Sequence, residues 1–160
     1  MKCKISCSFG DVVDKITILK IKSKKIKDKL ALENVYFELQ TIQRENPEAE
    51  KNDNLFSELK KINNKLWILE DLIREKSKKQ QFDEGYIKIA ESIHKTNDER
   101  CKVKKLINIK YKSNIIEEKS FSINTYPKIE DVDNLEKGKR LYTNGLYNES
   151  FLELSMLIEL

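Results

Sequence analysis

Between Leu55 and Ile73 the apolar residues fall at 55, 59, 62, 66, 69 and 73, alternating steps of four and three. A strand sends neighbouring side chains to opposite faces, so only a helix gathers this spacing into one stripe. The alternation is that of a seam between packed helices. Asp53 stands just before the run as its N-cap. A second run, from about Asp83 to Tyr111, places Phe82, Tyr86, Ile89, Ile93, Val103 and Ile107 on one face, and "KSKKQQ" makes the turn between the two. A short connection between long helices favours antiparallel neighbours. Equal rise on both arms then pairs positions whose numbers sum to roughly 161. Trp67 falls beside His94, and Asn63 and Asn64 beside Asn97 and Asp98.

The seam of the second arm has a gap. Between Ile93 and Val103 its positions are filled by Thr96 and Arg100. Thr96, Asn97 and Asp98 are residue types that compete with the helical backbone and favour helix ends. The stripe nevertheless resumes in phase at Val103 and Ile107, which predicts an unbroken helix carrying a polar patch. On the facing arm, "LWILEDLIREK" brings Glu70, Asp71 and Arg74 one turn beyond Trp67. The candidate polar site is therefore Asn63, Trp67, Glu70, Asp71, Arg74, His94, Asn97, Asp98 and Arg100. A half-buried patch of this kind must satisfy its donors and acceptors internally, with water, or with a ligand.

Plain structural roles compete at each position. Glu70 and Arg74 have the spacing and order of a solvated helical ion pair. Trp67 suits a core or interface anchor. His94 is the sole histidine, and such a residue on a helix is more often structural than catalytic. Thr96, Asn97 and Asp98 read as a buried hydrogen-bond network that fixes the register of the arms.

The rest of the chain agrees with a mostly α fold, an antiparallel helical bundle. The 160 residues suit one modest core, and with Gly 4, Pro 2 and 36% charged residues the composition favours long helices with wet outer faces. After Gly10, Val12, Ile16, Leu19 and Ile26 form one helical stripe. A break near Asp28 precedes a second helix carrying Leu32, Val35, Leu39 and Ile42, and "ENPEAEKNDN" reads as a loop. At the chain ends, Cys3, Ile5, Cys7 and Phe9, and then Phe121 and Ile123, alternate as short strands that could pair in a small β ribbon. No run of 18 apolar residues and no apolar leader is present, so neither a membrane span nor export is expected. Three cysteines, an odd number, fit a reducing compartment, and the expected location is cytoplasmic. Cys3 and Cys7 have no second pair to complete a zinc site, and no metal or cofactor is expected.

"FGDVVDKITILKIK", "LWILEDLIREK", "FDEGYIKIA", "TNDERCKVKKLIN" and "EEKSF" occur in this order. Together they resemble a bacterial family of small helical proteins classified only as a domain of unknown function. The likeness covers residues 5 to about 122. It implies no catalytic role, but its pattern includes Asp14, Lys15 and Lys105 beside Trp67, Glu70, Asp71, Arg74, Asn97, Asp98 and Arg100. The expected domain spans residues 1–124, followed by an acidic linker at 125–133. The tail, 134–160, resembles one tetratricopeptide repeat through Gly138, Leu141, Gly145, Tyr147, Leu154 and Leu157, with Ser150 where that family prefers Ala. One repeat cannot bury both faces of its helix pair, so it would pack on the domain, on another chain, or on further repeats.

Three functions compete. The first is a protein interaction or adaptor module, docking a partner or a second copy through the hairpin and the tail. The second is an all-α, metal-dependent nucleotide hydrolase, with Glu70, Asp71, Glu75, Glu91 and Asp98 as magnesium ligands. The acidic spacing of that class is not reproduced, and Arg74 and Lys95 intrude. The third is a nucleic-acid binder using "KIKSKKIKDK" and "KVKKLINIKYK". Interspersed acids, a net charge of only +4 and the lack of aromatic interleaving weigh against it. The interaction module is the leading expectation.

Overall fold

The computed structural model describes residues 4–51 and 53–118. By its internal contacts the chain divides into two units, Met1–Ile116 and Glu117–Leu160. The first holds four helices: α1 (Phe9–Lys25), α2 (Lys29–Glu45), α3 (Asn54–Lys78) and α4 (Glu84–Lys110), with a 3-10 turn at Pro47–Glu50. The linker at 125–133, the tetratricopeptide-like pair at 134–160, and Phe121 and Ile123 lie outside the described residues.

Helices α3 and α4 are the long antiparallel hairpin. Lys76 on α3 bonds Asp83 just ahead of α4 at 2.8 Å, and further down Lys65 approaches Glu99 at 3.8 Å. Both pairs lie within about one turn of the register expected from equal rise. The turn is closed by the sequence that ends α3. Gln80 takes a left-handed φ of 53°, which lets Gln81 N–H reach the Lys76 carbonyl at 2.9 Å and Gln80 N–H reach that of Ser77 at 3.0 Å. Lys112 repeats this device after α4, with Ser113 N–H on the Asn108 carbonyl at 2.8 Å.

The first helix lies against the lower part of this hairpin and α2 covers its other side. Val13, Ile16 and Leu19 of α1, Val35 and Leu39 of α2, Phe56, Leu59, Ile62 and Leu66 of α3, and Val103 and Ile107 of α4 form one core. At the open end of the core Phe9 and Phe56 pack on the Tyr111 ring, with centroids 4.9 and 5.4 Å from it. The α3 N-cap Asp53 is buried beneath. It accepts from Leu55 N–H at 2.9 Å, Lys110 Nζ at 2.5 Å and the Tyr111 hydroxyl at 2.7 Å. Burial alone would raise the Asp53 carboxyl, but these donors outweigh it and hold it below its ordinary range.

Two expectations are corrected. Among the described residues there is no strand: residues 4–8 have no regular structure, Ile5 is 88% exposed, and Phe9 already belongs to α1. Ser8 decides this, because its Oγ accepts from Asp11 N–H at 3.2 Å and starts the helix there. Gly10 is accordingly inside α1 and not ahead of it. A Cβ at Gly10 would stand 2.6 Å from the Lys104 carbonyl oxygen, so the glycine sets how closely α1 approaches α4. That closeness lets α4 and its exit satisfy the helix start. Gly10 N–H donates to Asn108 Oδ1 at 2.6 Å, and Phe9 N–H to Ser113 Oγ at 3.0 Å.

Candidate functional site: a cleft beside a buried ion pair

Where α1 meets the hairpin, Asp14 is 5% exposed, a costly place for a carboxylate unless it is paired. Arg100 of α4 pairs it in a fork: Nε donates to Asp14 Oδ1 at 2.8 Å and Nη2 to Oδ2 at 2.5 Å. Asn63 of α3, equally buried, adds a third bond through Nδ2 to Asp14 Oδ1 at 2.9 Å. The same Nδ2 donates to Thr17 Oγ1 at 2.7 Å, and the Thr17 hydroxyl in turn donates to the Asp14 carbonyl at 2.8 Å. Three helices are thus tied at one level by one carboxylate. The seam gap at position 100 exists because this side chain must reach α1 and not α3.

Above this network opens a cleft of about 340 Å³, lined by Ile18, Asn63, Leu66, Trp67, Glu70, Asp71, Arg74, Asn97 and Arg100. Leu66 and Ile18 give it an apolar floor and the half-buried Trp67 an indole wall. The rim carries charge: Arg74 bonds Glu70 at 2.8 Å and comes only to 4.0 Å from Asp71.

Seven of the nine residues expected at the site therefore do meet: Asn63, Trp67, Glu70, Asp71, Arg74, Asn97 and Arg100. His94 and Asp98 do not line the cleft, and both are exposed on α4. Thr96, Asn97 and Asp98 form no network with one another. Thr96 is fully buried with its hydroxyl on the Ser92 carbonyl at 2.6 Å, Asn97 faces the cleft, and Asp98 faces solvent. A helix turns about 100° per residue, so three successive side chains cannot share one site. Of the positions marked by family resemblance, Asp14 lies behind the cleft, bonded to its lining residues Asn63 and Arg100. Lys15 points away, 2.9 Å from Glu38 of α2, and Lys105 is buried elsewhere on α4. The carboxylates considered as magnesium ligands do not converge. Among the described residues no three of His, Cys, Asp or Glu are placed to hold a metal ion.

Residues that periodicity missed are Thr17 and Ile18. Thr17 carried a usable signal, since Asp14 and Thr17 are polar residues at i,i+3 on a helix that is otherwise apolar on that flank.

A family model described as a family of unknown function, DUF6165, matches residues 1–131. The chain belongs to that family. The DUF6165 match takes in all four helices and every residue of the cleft. No curated protein and no solved structure matches the chain.

Proposed function

We propose that the chain is a helical interaction module that docks another protein chain along the upper part of its hairpin. One observation carries this reading. From Trp67 to Lys95 not one side chain is buried, whereas Phe56–Leu66 and Val103–Asn108 below supply much of the core. The seam residues Leu69, Ile73, Tyr86, Ile89 and Ile93 are partly covered but none is fully buried, and Ile68, Leu72, Phe82 and Ile87 are each more than 40% exposed. Two helices alone bury too little to hold long arms firmly, so a pair of this length gains from a covering surface. The charges do not select a polyanion: residues 67 to 95 carry as many acidic as basic side chains. No helix among the described residues is long and apolar enough to cross a membrane.

The test is a photo-crosslinking amino acid placed at position 72 or 87 in living cells, with position 24 on the exposed flank of α1 as control. The reading expects adducts of defined mass, including a dimer of this chain among the outcomes, from 72 and 87 and not from 24. Uncrosslinked monomer at all three positions contradicts it.

A further inference from the structure

We infer that the cleft above Asp14 receives an organic cation, the ammonium or guanidinium group of a lysine or arginine side chain. The inference deepens the interaction reading, from which it takes the source of the cation, a side chain carried by the docked protein.

Charge gives the first argument. Among the described residues the cleft is lined by two carboxylates, Glu70 and Asp71, and two guanidinium groups, Arg74 and Arg100, and the buried Asp14 behind Arg100 adds a third carboxylate. Arg100 is committed to Asp14 and Arg74 to Glu70, which leaves Asp71 with its nearest cation 4.0 Å away. An entering anion would meet an excess of negative charge, and an entering cation completes the set.

Hydrogen-bonding capacity gives the second. The Asn63 carboxamide is 5% exposed, and both bonds it makes leave from Nδ2. Its Oδ1, an acceptor in a residue lining the cleft, has no donor among the described residues. A buried acceptor of this kind calls for an N–H or O–H group. Shape gives the third. Leu66, Ile18 and the Trp67 indole can hold an aliphatic stem while its charged head reaches the polar groups, and an indole face attracts cations.

Trp67 is the only tryptophan, so its fluorescence reports the cleft directly in the full-length chain. The probes are Nα-acetyl-lysine methylamide, Nα-acetyl-arginine methylamide and putrescine, with acetate and inorganic phosphate as anions. The expected result is a saturable change with either capped amino acid, binding at least as tightly as putrescine, and none with the anions. Asp71→Asn, a change at an exposed side chain that leaves the fold intact, should weaken binding about fivefold or more, while Lys95→Gln should not. Four results would each overturn the inference: no response to any cation, a response to the anions, equal binding by Asp71→Asn, or putrescine alone binding. If the cations bind as expected but residues 72 and 87 crosslink to nothing, the cleft chemistry stands and the interaction reading falls.

Discussion

Arg100 of α4 grips both carboxylate oxygens of Asp14 on α1, at 2.8 and 2.5 Å, across 86 residues of chain. The pair is held by complementarity and not by surplus stability. Removing one member of a buried pair strands the other charge, at about 3–5 kcal/mol, while an apolar replacement of both is often near neutral. The Arg100 side chain is 29% exposed, so the lower end of that range applies. Asp14→Leu is therefore expected to cost about 3 kcal/mol. The double variant Asp14→Leu/Arg100→Met should cost clearly less than the two single changes added together, as read by urea unfolding. Strict additivity would show that the two charges do not depend on each other.

The two asparagines that face the cleft should respond differently. Asn63→Leu removes both bonds from Nδ2 and leaves Asp14 and Thr17 short of a donor, at about 1–3 kcal/mol. Asn97 is half-buried and makes no such bond, so Asn97→Leu should stay within about 0.5 kcal/mol of wild type. Thermal unfolding of the two variants side by side decides the point. Equal losses would mean that Asn97 belongs to the structural network.

The hairpin was legible because periodicity and turn length are local properties, and Leu55 to Ile73 carries them without interruption. Its register follows from geometry alone, and that is enough to bring Asn63, Trp67, Asn97 and Arg100 to one level. The role of Asp14 was not legible in the same way. Its partners lie 49 and 86 residues distant, and nothing in the α1 pattern states which face meets α4. Family resemblance marked Asp14, and only the packing of α1 explained it. Gly10 misled for a related reason: a glycine near a helix start reads as a boundary, whereas here it permits a close crossing. The same hairpin register places His94 and Asp98 at the level of the site, but it fixes height along the arm and not angle, and their angular positions on α4 turn them outward.

The hairpin turn offers a stabilising change. Gln80 carries a Cβ in a left-handed conformation, φ 53°, where glycine is free of the penalty. Gln80→Gly should raise stability by about 0.5–1 kcal/mol, after allowing for glycine's greater freedom in the unfolded chain. Calorimetry that shows a loss would mean that the Gln80 side chain itself supports the turn.

Glu58 gives a pH signature of definite sign. Burial, and then the nearby Glu99 carboxylate, raise its carboxyl above the ordinary 4.5, against the opposing pull of Lys61. A raised carboxyl means that the folded chain binds the proton more readily than the unfolded chain, so the ionised form costs stability at neutral pH. That cost is relieved as pH falls through the folded value towards 4.5. Glu58→Gln should therefore melt higher than wild type at pH 7, with the difference shrinking in acid. A difference that grows in acid would reverse the assignment.

The division of one hairpin into a covered base and an uncovered arm is the foundation of the functional reading, and amide hydrogen exchange on the isolated chain tests it most directly. Amides in Val13–Ile21, Phe56–Leu66 and Val103–Asn108 pack in or beside the core and should exchange only through global unfolding. Those between Trp67 and Lys95 should exchange markedly faster, through local opening of the arm, and should slow when a partner or second copy covers it. Uniform protection along α3 and α4 in the dilute, isolated chain would contradict the account, because an arm that is already as stable as the base needs no cover.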